Sequence, residues 1–303
     1  VVHFKDVRVP KENIVLGQGK GLKVALTTLN TGRITLPAAC TGLAEVCLKA
    51  SLKWANEREQ WGAAIGKHGA IADKLARMAV QQFAMEAMTF AVAGMVDRDK
   101  NADIRIEAAM AKLWGTERAW EIVDETMQIR GGRGYETAAS QRVRGEVPVP
   151  VERWMRDCRI NTIFEGSSEI MRLFLAREAL DPHLKIGAAV FNTTLSKGDR
   201  LKAVIRSGLF YGFWYPKQWW PFGSCLPSSE HDSVRRAFRT TQRISRKLAR
   251  SLFHAMLRFG PKLDKQQVLL GRFVDIGTEL FALSAAAGYA ESVIASGERQ
   301  ADE

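Results

Sequence analysis

Three long stretches of the chain repeat their apolar residues at spacings of three and four, the period of a helix that buries one face. They cover about residues 22–57, 71–96 and 103–130. The first is apolar on most sides, which is typical of a buried helix, and Pro37 should start or kink it. The second carries a stripe of methionines, which favours core packing over a binding surface. Long helices of this kind pack as an antiparallel bundle, so the sequence predicts an all-α fold.

The two ends of the chain differ from this centre. The opening residues, VVHFKDVRVPKENIV, alternate and include β-branched residues before Pro10, which predicts one strand. A single strand makes no sheet, so we expect its partner strands to lie outside this chain. Further helices are predicted over about residues 233–259 and 265–294, whereas residues 187–217 are weakly patterned. We therefore expect two helical modules joined near residues 181–200.

Composition places the chain among ordinary globular proteins. Of its 303 residues, 46% are hydrophobic and 25% are charged, and no run reaches the roughly 18–20 consecutive apolar residues of a membrane-spanning helix. Cys40, Cys47, Cys158 and Cys225 form neither a CxxC pair nor a Cys/His ligand spacing. We therefore predict no metal site, no disulfide framework and a reducing compartment. The net charge of +11 favours anionic partners.

Glu165, in the segment IFEGSSE, is the residue best suited to catalysis. Ile163 and Phe164 before it would partly desolvate its carboxylate, which favours a general base. Gly166 after it lets a ligand approach closely, and either of the two following serines is a good N-cap for a helix. The N–H groups of that helix end could hold a phosphate or a carbonyl oxygen. The alternative is that Glu165 merely neighbours a helix N-terminus, where negative charge is favourable.

Two glycine-containing breaks are ambiguous. GGRG at Gly131–Gly134 suits a phosphate-cradling loop or an ordinary helix C-cap. EREQWG at Glu57–Gly62 ends a helix with Arg58, which suits a phosphate clamp or a solvated terminal arginine. Neither pattern decides between a ligand and a structural role by itself.

Four segments, in order along the chain, resemble the acyl-CoA dehydrogenase family. They are FKDVRVPKENIVLGQGKGLKV, LNTGR followed by the EREQWG helix end, QIRGGRGYE, and INTIFEGSSEIMRLF. The resemblance covers roughly residues 2–180. The NTGR stretch, the FEG form of the base motif and the long C-terminal extension are most similar to the very-long-chain branch of the family.

The resemblance implies a domain organisation. Residues 1–21 would be the last strand and linker of a truncated middle β domain, residues 22–181 the family's C-terminal four-helix-bundle domain, and residues 200–303 a second helical domain. The family's N-terminal helical domain and most of its β domain have no counterpart here. We therefore expect this chain to be part of a larger product, with about half an active site and no activity alone.

The resemblance also implies a reaction, the flavin-dependent α,β-dehydrogenation of a long-chain fatty acyl-CoA to the trans-2-enoyl-CoA, the first step of β-oxidation. Glu165 would take the α-proton while the β-hydrogen leaves as hydride to the flavin of FAD. In the isovaleryl branch the base instead occupies the position just before the arginine matched here by Arg33. That position is Gly32 in this chain, so Glu165 has no competitor.

Further motif residues match the family's cofactor and substrate contacts, those at 58–60 matching a contact to the cofactor of a neighbouring subunit. The implied FAD contacts are Arg58, Glu59, Gln60, His68, Gly69, Gln128, Ile129, Arg130, Gly131, Gly132, Ser167, Ser168 and Glu169. The implied acyl-CoA contacts are Asn30, Thr31, Gly32, Arg33 and Gly166.

Residues 200–303 resemble, more loosely, the extra helical domain of the very-long-chain branch, which there supports dimerisation and membrane association. Trp214, Trp219 and Trp220 lie in sequence beside a basic helix, a combination that suits an anchor at a membrane interface. The alternative is that the tryptophans are core residues and the arginines form a solvated or dimer-facing surface.

The implied partners are an acyl-CoA, a second copy of the chain in a homodimer or homo-oligomer, an electron-transfer flavoprotein as electron acceptor, and a peripheral membrane contact. A non-catalytic helical scaffold for a membrane assembly is the alternative function. A flavin-bearing nucleic-acid binder is disfavoured, because the one aromatic residue among the arginines at 235–250, Phe238, lies on the apolar face of the predicted helix and does not form a base-stacking series with them. We expect no nucleic-acid partner, and a location in the cytoplasm or, in a eukaryote, the mitochondrial matrix.

Overall fold

The computed structural model describes residues 2–191, 196–220 and 229–297, without the side chains at 26, 27, 30, 31 and 188–191. Helices dominate these ranges: α1 (Gly21–Glu57), α2 (Gly69–Arg98), α3 (Arg105–Arg130), α4 (Gly132–Tyr135), α5 (Ala138–Val143), α6 (Val151–Arg159), α7 (Ser168–Phe191), α8 (Lys197–Lys217), α9 (Asp232–Phe259) and α10 (Gln267–Ala295). Strands β1 (Glu59–Gln60) and β2 (Ala63–Ala64) form a hairpin. Short 3₁₀ turns lie at Lys11–Asn13, Ile65–Lys67, Ile160–Thr162 and Gly260–Lys265. The predicted all-α class is confirmed.

Helices α1 and α3 run parallel to one another. Ser51 Oγ of α1 donates to Thr126 Oγ1 of α3 at 3.2 Å, and Gly115, earlier in α3, packs against Pro37, earlier in α1. Pro37 therefore lies inside α1 and does not begin it. Because the two helices are parallel, residues early in both of them lie at one end of the bundle and residues late in both at the other.

Helix α2 runs antiparallel to α3. Lys74, early in α2, pairs with Glu125 late in α3, whereas Gln81 donates to Glu121 at 2.9 Å. The buried face of α2 consists of Met78, Ala84, Met85, Ala87, Met88 and Val92. The methionine stripe is therefore core, as predicted.

The C-terminal helices pack directly on this bundle. Arg172 of α7 pairs with Glu117 of α3 at 2.8 Å and with Asp275 of α10 at 2.7 Å. Ala282 of α10 belongs to the same buried cluster as the bundle interior. A second buried cluster joins α3, α7, α9 and α10 through Ala109, Leu113, Met171, Leu175, Ala255, Leu270 and Val274. The extension and the bundle thus share buried surface, and the division of the chain into domains stays a prediction.

The strand predicted for the opening residues is wrong. Residues 2–10 are exposed and form no strand. The reason is the one that makes a lone strand unstable, since the described part of the chain offers these residues no neighbouring strand to bond with. Among the described residues the strands are the two of the hairpin, which follows directly on α1.

Two regions near the end of the bundle are helical although no helix was predicted there. The stretch before Glu165 is α6 followed by the 3₁₀ turn at Ile160–Thr162. The weakly patterned residues after Asp181 are helical where the structure describes them, because α7 continues through Pro182 and α8 begins at Lys197. Within the described ranges, none of the helices combines the length and apolarity that crossing a bilayer requires.

Candidate active site

Glu165 lies in a tight turn between the 3₁₀ turn at Ile160–Thr162 and the start of α7. Its φ of 53° and the φ of 99° at Gly166 both fall in the left-handed region. Glycine adopts that region freely, but glutamate does so only at a cost in conformational energy. The surroundings must therefore hold Glu165 in this conformation.

The Glu165 carboxylate lies against the backbone of α1 at Gly32. A Cβ added at Gly32 would stand 2.8 Å from Oε1 and still closer to Oε2. Only glycine therefore leaves room for the carboxylate at this point of α1. Oε2 is buried and has no hydrogen-bond partner among the described residues, although buried carboxylate oxygens are normally paired.

Two buried cationic side chains neighbour this carboxylate. Arg33 packs its guanidinium over the Phe174 ring, 5.0 Å from the centroid, and burial lowers its pKa while Glu165 opposes the change. Lys112 is completely buried, and burial lowers its pKa against the opposing effects of Cys40 and Glu165.

The Lys112 ammonium donates to the carbonyl of Gly166 at 2.7 Å. We call Gly32, Arg33, Lys112, Glu165 and Gly166 the carboxylate pocket. Sequence reasoning missed Lys112, whose one signal was a lysine set among apolar residues in AAMAKLWG.

The expected apolar wall before Glu165 is wrong. Ile163 is 51% exposed and Phe164 is 37% exposed, so they do not enclose the carboxylate. Both residues directly follow the 3₁₀ turn at Ile160–Thr162, and Ile163 lines an open cleft at the N-terminus of α7. The carboxylate is instead enclosed by α1, through Gly32, and by the cations of α1 and α3.

An open cleft of roughly 340 Å³ begins beside the pocket at the N-terminus of α7; it is lined by Glu117, Trp120, Glu121, Arg159, Thr162, Ile163, Ser167, Ser168 and Glu169. Ser167 caps α7, its Oγ accepting from the Ile170 N–H at 3.4 Å, in accord with the predicted serine N-cap. Ser168 Oγ is buried without a hydrogen-bond partner among the described residues. Hydrogen bonds from its own backbone N–H and from Ser167 hold the pKa of Glu169 below its usual range. The cleft therefore offers a ligand an unsatisfied hydroxyl beside a helix N-terminus.

The other predicted cofactor residues lie elsewhere, beginning with the hairpin that ends α1. Arg58, Glu59 and Gln60 are exposed. His68 Nε2 lies 3.0 Å from the carbonyl oxygen of Gln60, and its ring meets that of Trp61 edge to face. Gly69 is exposed and begins α2.

The QIRGG stretch ends α3 beside this hairpin. Gln128, Gly131 and Gly132 are exposed, whereas Ile129 and Arg130 are buried. Arg130 stacks on the Trp54 ring of α1 at 4.7 Å, so its side chain contributes to the packing of α3 against α1. Gly131, with φ 58°, caps α3, which accords with the structural alternative for GGRG.

Two groups result. We call residues 58–62, 68, 69 and 128–132 the hairpin end. From Lys112 to Arg130, α3 covers about five turns or about 27 Å, which separates the hairpin end from the carboxylate pocket. The pocket brings together Gly32, Arg33, Glu165 and Gly166, with the Ser167–Glu169 cleft beside it. The backbone of Asn30 and Thr31 lies in α1 next to Gly32, and their side chains lie outside the described residues.

The chain resembles known proteins over nearly its whole length. The sequence profile described as "Acyl-CoA dehydrogenase, C-terminal domain" matches residues 19–180. The probable acyl-CoA dehydrogenase FadE10 of Mycobacterium tuberculosis is 48% identical over 294 residues, which are 96% of this chain and 45% of the relative. The human mitochondrial very long-chain specific acyl-CoA dehydrogenase is 40% identical over 175 residues, 58% of this chain and 25% of that protein.

Solved structures agree with these sequence matches. An acyl-CoA dehydrogenase from Bacillus anthracis, complexed with FAD, covers 98% of this chain with a TM-score of 0.73 and 25% identity, and 48% of that protein is matched. Butyryl-CoA dehydrogenase from Megasphaera elsdenii covers 58% of this chain with a TM-score of 0.52 and 33% identity, and 43% of it is matched. The chain thus spans less than half the length of these relatives. With the matched profile, the FadE10 identity and the shared helical fold together, this chain belongs to the acyl-CoA dehydrogenase family.

Proposed function

We propose that this chain supplies the catalytic base and part of the cofactor surface for the dehydrogenation of a fatty acyl-CoA to its trans-2-enoyl-CoA. This is the opening step of β-oxidation, and we propose a long acyl chain as substrate. The observation that carries the proposal is the Glu165 carboxylate, whose buried Oε2 lacks a partner among the described residues. A carboxylate oxygen held in this way is free to accept a proton.

The chemistry required of this chain is one proton transfer. Glu165 removes the proton from the carbon next to the thioester carbonyl, and the electron pair of that C–H bond becomes the new C=C bond. The β-hydrogen leaves with its own electron pair. FAD, when bound, supplies the acceptor for that hydride. Lys112 holds the turn that carries the carboxylate through its hydrogen bond to the Gly166 carbonyl, and Arg33 directly follows Gly32, against which the carboxylate lies.

The cleft at the start of α7 fits a cofactor with polar groups, and two of its three glutamates, Glu117 and Glu121, are already paired with Arg172 and Arg118. Ser168 Oγ is buried and unsatisfied there, and the N-terminus of α7 favours negative charge. Ser167, Ser168 and Glu169 would contact FAD on this side. Asn30–Arg33 and Gly166 would contact the acyl-CoA, because Gly32 lies against the carboxylate that must reach it and Gly166 directly follows it.

The hairpin end would serve the cofactor of a second copy of the chain. It lies about 27 Å along α3 from Lys112, too far for Arg58–Gln60 to join the cofactor contacts beside Glu165. Gln128 and Gly131–Gly132 are exposed there, and Ile129 and Arg130 would contribute backbone groups because their side chains are buried. We propose a homodimer or higher homo-oligomer on this ground, and an electron-transfer flavoprotein as the final electron acceptor.

The proposal is tested on the longest natural product that contains this chain, purified with its flavin. Palmitoyl-CoA is added without oxygen while the flavin absorbance is followed, and Glu165→Gln is measured beside the parent. We expect bleaching in the parent and a loss of about 10²–10⁴-fold in its rate in the variant, the usual contribution of a general base. A bound flavin that no acyl-CoA bleaches would support the non-catalytic scaffold instead.

We also propose a peripheral membrane contact through α8. Leu201, Ile205, Leu209 and Phe213 repeat every four residues and are all exposed, so they form one apolar stripe along the helix. Basic side chains flank it, namely Lys197, Arg200, Lys202, Arg206 and Lys217, against one acidic residue of α8, Asp199. An apolar face with basic flanks is the pattern of a helix lying on an anionic bilayer.

The tryptophans at the end of α8 support this contact. Trp219 and Trp220 are each 61% exposed, which argues against the alternative that places them in the core, whereas Trp214 is half-buried. Arg250 of α9 stacks on Trp219 at 4.0 Å, so this arginine already has a partner within the chain. We propose the cytoplasm or the mitochondrial matrix as the compartment, since Cys40, Cys47 and Cys158 are free thiols.

Flotation with lipid vesicles tests the membrane contact. Vesicles of phosphatidylcholine with phosphatidylserine should carry the protein upward, and vesicles of phosphatidylcholine alone should carry less. Phe213→Glu should abolish flotation, whereas Val80→Glu, at an equally exposed apolar residue of α2, should not. If Phe213→Glu instead dissociates an oligomer and leaves flotation unchanged, the stripe is a contact between copies.

A further inference from the structure

Lys112 occupies a position that lysine rarely takes. It is completely buried in the middle of α3, where its sequence neighbours are mainly alanine, methionine and leucine. Lysines are almost never fully buried unless they are paired, and removing an amine from water is costly without a hydrogen-bond partner. The loss of solvation is the main reason that its pKa is lowered. A residue held at this cost needs an interaction that only it can make.

That interaction is with the turn that carries Glu165. Lys112 Nζ donates to the Gly166 carbonyl at 2.7 Å, across 54 residues of sequence. The turn has two successive residues in the left-handed region, with φ 53° at Glu165 and 99° at Gly166. A glutamate in that region is strained and persists only where its surroundings enforce it.

Other contacts fix different parts of the same turn. The Met171 side chain of α7 packs where a Cβ at Gly166 would stand, and the φ of 99° there is strained for any residue that has a side chain, so glycine is favoured. The Glu165 carboxylate is stopped by the backbone of α1 at Gly32. Lys112 adds a hydrogen bond to the Gly166 carbonyl, between the contact with Gly32 and the contact with Met171. The conformation of the turn is thus set by α1, α3 and α7 together.

We infer that Lys112 is a positioning residue for Glu165. Its hydrogen bond to the Gly166 carbonyl holds the left-handed turn in the conformation that sets the Glu165 carboxylate against Gly32. The inference rests on the proposed function, because it treats Glu165 as the base. Lys112 itself does not touch the reacting atoms, so its effect is on the geometry of proton removal and not on the affinity for the acyl-CoA.

The first test compares Lys112→Met, Lys112→Arg and Thr116→Val in the flavin-containing product. Thr116 is the matched control, because it is as deeply buried one turn further along α3 and bonds only carbonyls of its own helix. Lys112→Met should slow flavin reduction at saturating palmitoyl-CoA by about 10- to 100-fold, the scale of a small misplacement of a reacting group. The palmitoyl-CoA concentration for half the maximal rate should change by less than about threefold. Lys112→Arg, which keeps a charged donor, should recover part of the rate.

The second test measures hydrogen–deuterium exchange of backbone amides over residues 163–171. Lys112→Met should speed exchange in this segment and leave the hairpin end unchanged, while Thr116→Val should alter neither. If Lys112→Met does not fold, Lys112→Gln, which keeps a neutral donor, takes its place in both measurements.

The outcomes separate the two claims. If no acyl-CoA reduces the flavin of the parent protein, the proposed function is overturned. The hydrogen–deuterium exchange data then still test whether Lys112 holds the turn. Parent-like rates and exchange in Lys112→Met overturn the positioning role. Equal losses in Lys112→Met and Thr116→Val, with matching falls in Tm, overturn it as well, because they show that the two residues merely support the fold.

Discussion

The carboxylate pocket and the hairpin end lie at opposite ends of the parallel helices α1 and α3 and differ in almost every physical respect. In the pocket Arg33 and Lys112 are buried, Glu165 is half-buried, and its carboxylate is crowded against Gly32. The hairpin end is open, and Trp61 there is 90% exposed. Its glycines Gly131 and Gly132 have nothing within 4 Å of where a Cβ would stand.

This difference teaches what each region can do by itself. Chemistry that depends on a carboxylate at one fixed place needs neighbours on every side, and the chain supplies them for Glu165. A surface that binds a large cofactor can remain open until the cofactor or a second copy arrives. The pocket should therefore be intolerant of small changes, and the hairpin end should tolerate them in stability while losing binding.

The largest effect is expected from Gly32→Ala. The new Cβ would overlap both oxygens of the Glu165 carboxylate, so the base must move, and a shift on the order of 1 Å can lower a rate by about 100-fold. Flavin reduction by palmitoyl-CoA measures the effect. Gly42→Ala is the control, since it lies in the same helix with nothing within 4 Å of its Cβ. Equal rates for both variants would show that the pocket is not crowded in solution.

The next largest effect is expected at alkaline pH, where the buried thiols should lower the free energy of unfolding. Burial raises the pKa of Cys40 and Cys47 to about 12 and of Cys158 to about 11. Folded thiols then hold protons that unfolded ones lose, so the free energy of unfolding falls as pH rises above the ordinary thiol value of 9.0. Each thiol contributes about 1.4 kcal/mol per pH unit in that window.

Lys112 acts in the opposite direction. Its folded pKa lies below the ordinary 10.5, so its contribution to stability rises with pH up to that value. Three thiols against one amine should leave a net fall. Urea unfolding between pH 8 and pH 11 measures the slope, and Cys47→Ala should make it shallower. A free energy of unfolding that stays level over this range would contradict the expected fall.

Gly134→Ala tests whether the backbone just after the hairpin end is too crowded to accept a side chain. A Cβ at Gly134 would stand 2.8 Å from the Met127 carbonyl oxygen, and such overpacking costs about 1–3 kcal/mol. At Gly132 the added methyl meets nothing within 4 Å, so Gly132→Ala should change stability by less than about 0.5 kcal/mol but weaken flavin retention. Urea unfolding and the flavin content after dialysis distinguish the two. Similar stabilities would mean that the loop moves away at no cost.

The smallest effect should come from Arg130→Met. It removes the buried guanidinium that stacks on Trp54 at 4.7 Å, a contact worth up to about 2 kcal/mol when desolvated. It also removes Arg130 Nε, which is buried without a hydrogen-bond partner among the described residues, and this offsets part of the loss. The exposed Arg58→Met serves as the control and should not change Tm. A Tm that stays the same in both variants would show that Arg130 contributes nothing to the closure of the helix pair.

Much of the helical framework could be predicted because its signal is local. The expected stretch 22–57 is α1 at Gly21–Glu57 and 71–96 is α2 at Gly69–Arg98, since repeated apolar spacing predicts a buried face directly. The opening strand could not be predicted correctly, because a strand depends on partners that the segment itself does not contain. Helix α8 was missed because its apolar stripe remains exposed and its flanks are polar.

The candidate site likewise has a part that local sequence predicts and a part that it does not. The position of Glu165 before a serine-capped helix follows from neighbouring residues alone. The closeness of Gly32 and Lys112 to it depends on α1 and α3 running parallel, which no single segment shows. The expectation that Ile163 and Phe164 enclose the carboxylate failed for the same reason. It rested on their position next to Glu165 in the sequence, whereas in the structure they follow the 3₁₀ turn at Ile160–Thr162 and are exposed.

The overlap between Gly32 and the Glu165 carboxylate also limits how such a chain can change over generations. The two positions share one volume, so only one of them can carry a carboxylate. Moving the base from the turn to the helix therefore requires both codons to change. If only Gly32 becomes acidic, two carboxylates compete for one space. If only Glu165 is replaced, no carboxylate remains. A lineage that crosses between these arrangements by single changes therefore passes through one of these two forms.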